Sequence, residues 1–480
     1  MKSCLSDNPL FSDILQFSQK NKVDLYLVGG YLRDIFLNRE RENPDVDFAL
    51  RRGSINFSRK LKEHLRCGFV VLDKERGVAR LVKKIEGKSY TLDFTDFRGK
   101  TLDEDLRLRD FTINALALDF KYVNKNIDLS KCVIDPYGGL KDLKSRTLRM
   151  VDKRSFDDDP LRILRAFSLS AIFNLKIDKE TLKSIKIKKN KLKGVSQERI
   201  RDELFKILDV SCAAVHLEKM DSLRILSLIF PEIEIMRGVS QGPYHHLDVW
   251  KHTLETIRQL EKLIEDLRRK KEIQRYLDEN ICAERKRRSL LKLGALLHDI
   301  GKPATKKREE GKTKFHGHER VGMLISKEIA ERLRLSNDEF DALRKMVFWH
   351  LRPGYLADNE EVTARAYFRY FRDTGNEGVS VLLLSLADQR ATKGPLTSEE
   401  ERAHHEKVAF ELIDECLRRQ KEKKPARLIT GDDVMKKLKL EPSPLIGKIL
   451  AEIEELQAIG KIKDKKEAFS AAHDIIAKKP

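Results

Sequence analysis

The 480-residue chain lacks the long apolar runs and paired cysteines that would place it in a membrane or outside the cell. No apolar stretch reaches the ~18 residues that a membrane-spanning helix needs. Residues 1–17 mix polar and acidic residues with apolar ones, which is not the pattern of a secretion signal. The six cysteines lie far apart without a C-x-x-C pair, which predicts reduced thiols rather than disulfides or a zinc site. We therefore expect a cytoplasmic location and no membrane association.

Acidic residues are fewer than basic ones. The chain has 96 Lys and Arg against 77 Asp and Glu, which gives a formal charge of +19. Such an excess favours a polyanionic partner, because Lys and Arg neutralise phosphates and release counterions. Charge alone is equally compatible with a generally basic globular protein. The basic clusters at residues 186–193, 268–271 and 285–288 are more typical of solvated surface than of a binding patch.

The pattern of the chain changes near residue 150. Before that point short apolar runs alternate with turn residues, which predicts an α/β domain. The predicted strands cover residues 23–28, 46–50, 69–72, 79–84 and 89–94, and a helix begins near residue 31. From about residue 155 the pattern is almost wholly helical, and residues 421–425 have the composition of a linker. There is no internal repeat and no long low-complexity segment.

Asp45 and Asp47 lie one residue apart at the start of a predicted strand. Side chains two positions apart on a strand point to the same face, so both carboxylates can converge on one point. Unpaired carboxylates repel, and Mg²⁺ is a usual bridge between carboxylates and substrate phosphates. The strand, Gly29-Gly30 and helix just upstream offer backbone N–H groups to an anion. This arrangement indicates a triphosphate site with two-metal chemistry, although a D-x-D alone is more often surface acid.

A series of motifs over the first 210 residues resembles the family of class II tRNA nucleotidyltransferases and bacterial poly(A) polymerases. The opening motif is LYLVGGYLRDIFLNRERENPDVD at residues 25–47, with G-G-x-x-R-D followed by D-x-D. The later motifs, in order, are YTLDFTDFR (90–98), RDFTINA (109–115), DPYGGLKDL (135–143), DDPLRILR (158–165) and ERIRDELFKIL (198–208). Their joint order makes the resemblance far more specific than any one motif.

The resemblance implies a role for each matched residue. Asp45 and Asp47 would hold two Mg²⁺ ions, with Asp93 as a third catalytic acid near them. The 3′-hydroxyl of tRNA would then attack the α-phosphate in line, and pyrophosphate would leave. The residues that would bind the nucleotide are Gly29, Gly30, Arg33, Arg109, Asp110, Asn114, Asp159, Arg162 and Arg165.

Asp159 and Arg162 are expected to read the base in place of a nucleic-acid template. Three positions apart on one helix, they would share a face and offer both an acceptor and donors to cytosine or adenine. An ordinary salt bridge within the helix is the alternative from the residues alone. Leu108, Ser168 and Leu169 depart from the family pattern, which has an arginine at two of these places and a phenylalanine at the third.

The segment between Arg98 and Asp110 is short, and the resemblance gives this length a meaning. Many complete CCA-adding enzymes have a longer flexible loop there, which helps the site to change from CTP to ATP. The short form resembles relatives that add only the two cytidines. CCA addition and CC addition therefore both remain open.

A second set of residues, between 250 and 390, resembles an HD-type phosphohydrolase domain. The matching segments are WKHTL (250–254), LLHDIGKP (296–303), FHGHERVG (315–322), WHLRP (349–353) and ADQR (387–390). By this resemblance His252, His298, Asp299 and Asp388 would bind one divalent metal, and His318 with His350 a second. The alternatives are a helical domain with satisfied core histidines and an inactive HD scaffold. His245, His246 and His316 are left as substrate-side or spare groups.

The predicted architecture is an α/β nucleotidyltransferase head, with a small mixed sheet and helices, followed by helical parts. The divisions are a head at 1–150, a neck with the base-reading helix at 151–230, an HD domain at 231–400, and a basic tail at 401–480. The tail segment at 428–450 is similar to the tails of HD-bearing relatives, and Thr430 would cap a helix near Asp432.

The function that the resemblance implies is addition of C, A or both to the tRNA 3′ end from CTP and ATP, without a nucleic-acid template. The HD domain would add a phosphohydrolase activity. Three alternatives stay open: addition of CC alone, poly(A) synthesis, and a non-catalytic RNA-binding protein. The oligomeric state is left undetermined by these patterns.

Overall fold

Short strands in the first part of the chain build one mixed sheet. The computed structural model describes residues 8–39, 42–123, 128–242, 246–309, 312–359, 361–394, 398–421 and 426–477. The strands are β1 (Tyr26–Val28), β2 (Asp45–Leu50), β3 (Gly68–Asp73), β4 (Val78–Ile85), β5 (Lys88–Asp96), β6 (Ala117–Asp119) and β7 (Val133–Ile134). Their order across the sheet is β3-β4-β5-β2-β1-β6-β7. Strands β2 and β5 pair in parallel, and the other neighbouring pairs are antiparallel.

One face of this sheet is covered by an aromatic core. Phe48 on β2 and Phe94 on β5 are register partners whose rings stack with centroids 4.8 Å apart. Phe120 packs edge-on against Phe48, and Phe57 packs against Phe94. The helices of this part are α1 (Pro9–Lys20), α2 (Gly30–Phe36), α3 (Ser54–Leu65), α4 (Leu102–Arg107) and α5 (Gly139–Lys144). Since successive strand residues alternate in direction, the residues next to Phe48 and Phe94 point to the other face.

Helices dominate after residue 150, as the sequence predicts. The next helices are α6 (Ser155–Asp158), α7 (Arg162–Phe173), α8 (Lys179–Lys188) and α9 (Gln197–Asp209). A two-stranded parallel pair, β8 (Thr147–Leu148) and β9 (Lys176–Ile177), joins the end of the head to the loop after α7. Residues 1–207 and residues 208–480 form two compact units.

The second unit is a helical assembly with two small hairpins. Its helices as far as residue 421 are α10 (Ala213–Ser222), α11 (Leu226–Ile229), α12 (Val249–Asp266), α13 (Lys271–Asp278), α14 (Arg287–Leu297), α15 (Lys302–Thr305), α16 (His318–Arg332), α17 (Asn337–Trp349), α18 (Arg352–Ala357), α19 (Ala364–Thr374), α20 (Gly378–Ala391) and α21 (Glu399–Lys421). The hairpins are β10 (Asn280–Cys282) with β11 (Arg285–Lys286), and β12 (Lys307–Glu309) with β13 (Lys312–Lys314). Helix α20 is buried on all sides, which fits its central place and its continuous apolar sequence.

The last helices have an apolar cluster of their own. They are α22 (Gly431–Leu438), α23 (Pro444–Ala458) and α24 (Lys465–Ala477), and Ile449 and Val434 are fully buried between them. Thr430 caps α22 in a capping box with Asp433, as the sequence predicts. Glu455 on α23 is buried and ion-paired with Arg365 and Arg369 of α19.

The predicted fold class, a mixed-sheet head followed by helical parts, is confirmed. The first strand is shorter than predicted. It covers Tyr26–Val28, and residues 23–25, which connect it to α1, are not part of a strand. The four-part division at residues 150, 230 and 400 stays a prediction. The predicted linker at 421–425, apart from Lys421, and His245 lie outside the described residues.

Candidate active site and metal centre

The paired acids lie on the open face of the sheet, behind which the phenylalanine core packs. Asp45 and Asp47 are at the start of β2, and Asp47 is the register partner of Asp93 on β5. Their strand neighbours Phe48 and Phe94 are fully buried on the opposite face. Strand alternation therefore brings three carboxylates to one side of the sheet, as the D-x-D spacing predicts.

The surroundings of the Asp47 carboxylate on balance disfavour its ionised form. Burial raises its pKa; Arg109 works in the other direction, while Asp93 and Asp45 raise the pKa further. Within the described part of the chain no group donates a hydrogen bond to this carboxylate. A cation is the direct way to stabilise such a group in its ionised form. The set of carboxylate donors thus fits Mg²⁺.

Gly29 lies between the carboxylate of Asp47 and the guanidinium of Arg109. Its φ is +76°, and a β-carbon there would lie 2.9 Å from Nη1 of Arg109 and 3.0 Å from Oδ2 of Asp47. A side chain at this position would both strain the backbone and occupy the space beside Asp47. The first glycine of the predicted phosphate-binding pair therefore keeps an opening next to the acids. Gly30 is the first residue of α2 and lies against Arg33.

Arg33 and Asn114 are not open to a ligand in this structure. Arg33 is buried, and its guanidinium donates to Asp34 at 2.8 Å and to Oδ1 of Asn114 at 2.7 Å. It also lies 4.1 Å from the centre of the Phe173 ring. Asn114 in turn donates from Nδ2 to Asp110. The contribution of Arg33 to triphosphate binding stays a prediction, and here its geometry is that of a buried support.

Asp110 connects this network to α7 and α9. Its Oδ2 accepts two hydrogen bonds from Arg165, at 3.0 and 2.8 Å, and Nη1 of Arg165 lies 3.6 Å from Glu203. Burial works to raise the pKa of Asp110, but Arg165 and the donors on Asn114 and Phe111 outweigh it and hold the pKa at about 2. Ser168, one of the departures from the family pattern, donates to Glu203. Asp110 and Arg165 are thus paired with each other.

The prediction that Asp159 and Arg162 share one helix face is wrong. Helix α6 ends at Asp158, Asp159 is extended with φ −147° and ψ 101°, and α7 begins at Arg162. The reason is Pro160, because a residue before proline is driven out of the helical region. Oδ2 of Asp159 accepts from Arg199 of α9 at 2.8 Å. Arg162 donates to backbone oxygens, that of Leu108 at 2.7 Å among them.

Arg98 is a basic residue of this site that the motif analysis did not single out. Desolvation lowers the pKa of Arg98, and repulsion from Arg109 and Arg162 lowers it further, against the opposite effect of nearby carboxylates. Arg98 therefore lies in the field of both other guanidinium groups. Arg109 is held by Asp105 at 3.1 Å, and Arg98 is the exposed member of the three. Positive charge beside the acids suits a triphosphate. The sequence signal was its place as the last residue of the motif at 90–98, two residues after β5 ends.

In the second unit, the predicted HD residues converge. His252 comes from α12, His298 and Asp299 follow α14, and Asp388 lies on α20. Nε2 of His252 is 2.8 Å from Asp388, and Nε2 of His298 is 3.2 Å from Oδ2 of Asp299. The remaining two residues, His318 at the start of α16 and His350 after α17, lie on the other side of Asp299. Their Nε2 atoms are 3.4 and 3.8 Å from its Oδ1.

Each oxygen of Asp299 therefore faces a different pair of histidines. One group that can hold a cation is His252, His298 and Asp299, and another is Asp299, His318 and His350. Both oxygens of Asp299 are buried, and the nearest nitrogens around them belong to Lys302, at 2.6 Å from Oδ2, and to the histidines. Imidazole nitrogens together with a carboxylate oxygen suit a divalent cation in either group.

Three of the histidines are oriented by backbone carbonyl groups. Nδ1 of His298, His318 and His350 lies 2.7 to 2.8 Å from the carbonyl oxygen three residues earlier. A carbonyl only accepts, so Nδ1 carries the hydrogen and Nε2 is left to face the centre. Burial is the main cause that lowers the pKa of His350 to about 3, which keeps that ring neutral. Neutral imidazole is the form that binds a metal.

Lys302 is a charged residue of this centre that the sequence analysis did not single out. Its Nζ lies 2.6 Å from Oδ2 of Asp299 and 2.7 Å from Oε1 of Gln241. The signal was in the sequence, because Lys302 follows Asp299 by one helical turn. Asp388 is the member with most exposure, at 20% of its side chain, whereas Asp299 and His350 are closed to solvent. His246 and His316 are exposed.

Four family models match the chain. They are the Poly A polymerase head domain at residues 25–149, the probable RNA and SrmB-binding site of polymerase A at 174–236, the HD domain at 249–393, and a putative tRNA nucleotidyltransferase domain 2 at 358–472. The first and third of these ranges contain the two sites described above. The comparison confirms the predicted family resemblance for both.

Curated relatives match along nearly the whole chain. An A-adding tRNA nucleotidyltransferase of Deinococcus radiodurans is 31% identical over 449 residues, covering 92% of this chain and 93% of the relative. A CC-adding tRNA nucleotidyltransferase of Thermus thermophilus is 28% identical, with 93% and 92% covered. A multifunctional CCA protein of Actinobacillus pleuropneumoniae is 30% identical, with 72% and 80% covered.

Solved structures share the fold. A CCA-adding enzyme in complex with ATP aligns with a TM-score of 0.64 and 22% identity, covering 97% of this chain and 95% of that one. The Thermotoga maritima CCA-adding enzyme complexed with tRNA aligns with a TM-score of 0.61 and 22% identity, covering 98% and 96%. Among the described residues, no helix is both long and apolar enough to cross a membrane. The chain therefore belongs to the family of tRNA nucleotidyltransferases and poly(A) polymerases, and it is a nucleotidyltransferase.

Proposed function

We propose that this enzyme adds C, A or both to the 3′ end of tRNA, taking CTP and ATP as substrates and using no nucleic-acid template. The observation that carries the proposal is the row of carboxylates on β2 and β5, with Asp47 left without a hydrogen-bond donor beside Gly29 and Arg109. The relatives are named for A, CC or CCA addition to tRNA, and solved neighbours hold ATP, CTP or tRNA. Because tRNA and both nucleotides are cytoplasmic, the reaction belongs in the cytoplasm.

Different residues of the head would have different roles in the reaction. Asp45 and Asp47 would hold two Mg²⁺ ions, which supply an activated 3′-hydroxyl and a stabilised pyrophosphate leaving group. Arg98 and Arg109 lie beside these acids and would bind the triphosphate. Gly29 lets the phosphates approach the backbone, since a β-carbon would fill that space. The tRNA hydroxyl then attacks the α-phosphate in line, and pyrophosphate departs opposite to it.

Asp159 and Arg162 would select the base. The carboxylate of Asp159 is exposed enough to accept from a base amino group, and Arg199 orients it from α9. Arg162 has its guanidinium on backbone oxygens at the end of α4, so it would have to exchange these partners to reach a base. Selection by these two side chains therefore involves rearrangement of Arg162 rather than a preformed pair.

The choice between A, CC and CCA addition is tested by product analysis. Purified protein with Mg²⁺ is given three tRNA substrates, ending at the discriminator base, at C and at CC, with CTP and ATP singly and mixed. Addition of C to the first two supports a CC-adding or CCA-adding enzyme, and addition of A to the third supports an A-adding or CCA-adding enzyme. Long A tails on unrelated RNA would support poly(A) synthesis instead, and no addition to any substrate would contradict the proposal.

A second activity is favoured by the geometry around Asp299. Two cation sites sharing one carboxylate suit hydrolysis of phosphoesters, and Lys302 beside that carboxylate could bind a phosphoryl oxygen. We assign this metal centre a phosphohydrolase activity. The purified protein, reconstituted with Mn²⁺, Ni²⁺ or Mg²⁺, is assayed on phosphomonoesters and 2′,3′-cyclic nucleotides beside Asp299→Asn. Equal hydrolysis by both proteins, or none by the wild type with any metal, would contradict this assignment.

The tail at residues 401–480, rich in lysine, would contact the tRNA backbone. Helices α22 to α24 have their own apolar cluster and many exposed lysines, Lys436, Lys461 and Lys466 among them. Contacts from lysine to phosphate set affinity without reading sequence. The predicted division into head, neck, HD domain and tail is retained as a proposal with these assignments.

A further inference from the structure

The hairpin between β4 and β5 places a basic residue next to the third acid. Its turn residues, Glu86 and Gly87, both have positive φ, at 48° and 81°, as a two-residue type I′ turn requires. This turn pairs Ile85 with Lys88 and, five positions further along each strand, Arg80 with Asp93. Directly opposite residues share a face of the sheet. Arg80 therefore extends the row of Asp47 and Asp93 across a third strand.

Arg80 occupies both oxygens of Asp93. Nε donates to Oδ1 and Nη2 to Oδ2, each at 2.8 Å, which is the two-pronged geometry that arginine alone provides. Hydrogen bonding to Asp93 raises the pKa of Arg80, and the charges of Asp45 and Asp47 act in the same direction. The guanidinium thus lies in the field of all three carboxylates. Asp47, in contrast, has no donor among the described residues.

Mg²⁺ in phosphoryl-transfer sites is typically held by one or two carboxylates and keeps its other positions for water and substrate phosphates. A third free carboxylate at the row of Asp47 would compete for these positions. We propose that Arg80 is a positioning residue: its two hydrogen bonds keep Asp93 from binding directly the cation that Asp45 and Asp47 hold. The remaining coordination positions of that cation then stay open for the triphosphate. This inference rests on the proposed function, because it requires a cation at Asp45 and Asp47.

The test measures binding of Mn²⁺ to the full-length protein without nucleotide, by electron paramagnetic resonance of the free ion. In Arg80→Gln the carboxylate of Asp93 is released, and we expect Mn²⁺ at the transferase site to bind about tenfold more tightly, the size typical of changes around metal ligands. Arg80→Lys keeps the positive charge but cannot make both hydrogen bonds to Asp93, so it should also tighten Mn²⁺ binding. Adding Asp93→Asn to Arg80→Gln should return the affinity toward that of the wild type.

The control is Lys84→Gln. Lys84 lies four positions from Arg80 on the same strand and face, is exposed, and faces Ser89 rather than an acid, so its loss should leave Mn²⁺ binding unchanged. All variants are first checked for unaltered thermal unfolding, and Asp299→Asn is present throughout to remove binding at the second centre. Because 40% of the Arg80 side chain is exposed, we expect each to fold.

The outcomes separate cleanly. Wild-type affinity in both Arg80 variants would overturn the inference, and so would tightening in Arg80→Gln alone, because charge rather than the two hydrogen bonds to Asp93 would then explain it. A loss of tightening in the double variant supports a direct role of the released Asp93. If Asp47→Asn binds Mn²⁺ as the wild type does, the proposed function itself fails, whatever Arg80 does.

Discussion

Oδ2 of Asp159 accepts a 2.8 Å hydrogen bond from Nη2 of Arg199, a residue of α9 rather than of the helix that follows Asp159. The carboxylate is therefore oriented from two directions, because its Oδ1 also accepts from the backbone N–H of Leu161. A side chain fixed in this way presents its acceptors in one direction only. This is a requirement for a residue that distinguishes amino groups on bases.

Removal of Arg199 should weaken base selection more than catalysis. In Arg199→Ala the carboxylate of Asp159 loses one charged hydrogen bond, and we expect discrimination between CTP and ATP to fall about tenfold. Total incorporation from the preferred nucleotide should fall less. The measurement is the ratio of kcat/KM for the two nucleotides on each tRNA substrate. Lys183→Ala, an exposed charge change on α8, is the control, and an unchanged ratio in Arg199→Ala would contradict the orienting role.

Gly29→Ala should abolish nucleotide incorporation. The new methyl would meet Arg109 and Asp47 at about 3 Å, in the space beside the acids that the proposed function assigns to the triphosphate. Gly87→Ala is the matched control, because Gly87 also has positive φ, +81°, but has nothing within 4 Å of its β-carbon position. Gly87→Ala should lose ~1 kcal/mol of stability through backbone strain. Gly29→Ala should lose more, because its φ of +76° with ψ of −141° lies in a region that essentially only glycine adopts. Retention of incorporation in Gly29→Ala, or an equal loss in Gly87→Ala, would contradict the account.

Asp110 should stabilise the head only above acidic pH. Its pKa in the folded protein is about 2, below the usual value near 3.8, so its ionised form is stabilised by folding. This contribution, about 2 kcal/mol, is complete above the unfolded pKa and is lost as pH falls through the folded value. Urea unfolding of Asp110→Asn should show its full deficit from pH 5 to 7, and the deficit should shrink below pH 4. A deficit that does not depend on pH would exclude this ion pair as its cause.

The second metal centre should lose its ions in a graded way. Since each oxygen of Asp299 faces a different histidine pair, Asp299→Asn should lose both ions, whereas His350→Gln should lose one. Metal content per chain after dialysis is measured by mass spectrometry, and His316→Gln, an exposed histidine, serves as the control. Incorporation at the transferase site should be unaffected in all three. Equal metal content in His350→Gln and the wild type would contradict the prediction that His350 helps to hold a second ion.

Local patterns in the sequence predict much of the head. Strand alternation predicts the common face of Asp45 and Asp47, and the structure places the buried Phe48 directly behind them. Pro160 was a sequence signal for the extended backbone of Asp159, because a residue before proline is disfavoured in a helix. This effect outweighs the helical spacing between Asp159 and Arg162. The contact of Arg80 with Asp93 follows from the turn at Glu86 and Gly87, provided that its type is known.

Other features depend on tertiary packing that no local pattern determines. His252 and Asp388 are 136 residues apart and meet only because α12 packs beside α20. The family resemblance predicts which residues form the centre. It does not predict that Asp299 faces two histidine pairs, nor that Lys302 lies 2.6 Å from it, because these depend on side-chain directions within packed helices.

The central claim is that Asp47 holds a cation for transfer of a nucleotide to tRNA. The most direct measurement is incorporation of radiolabelled CMP and AMP into tRNA lacking part of its 3′ end, by Asp47→Ala and by the exposed-acid control Asp13→Ala, with tRNA binding measured in parallel. The account predicts that Asp47→Ala loses incorporation at every Mg²⁺ concentration while it binds tRNA normally, and that Asp13→Ala behaves as the wild type. Incorporation at the wild-type rate by Asp47→Ala would contradict it.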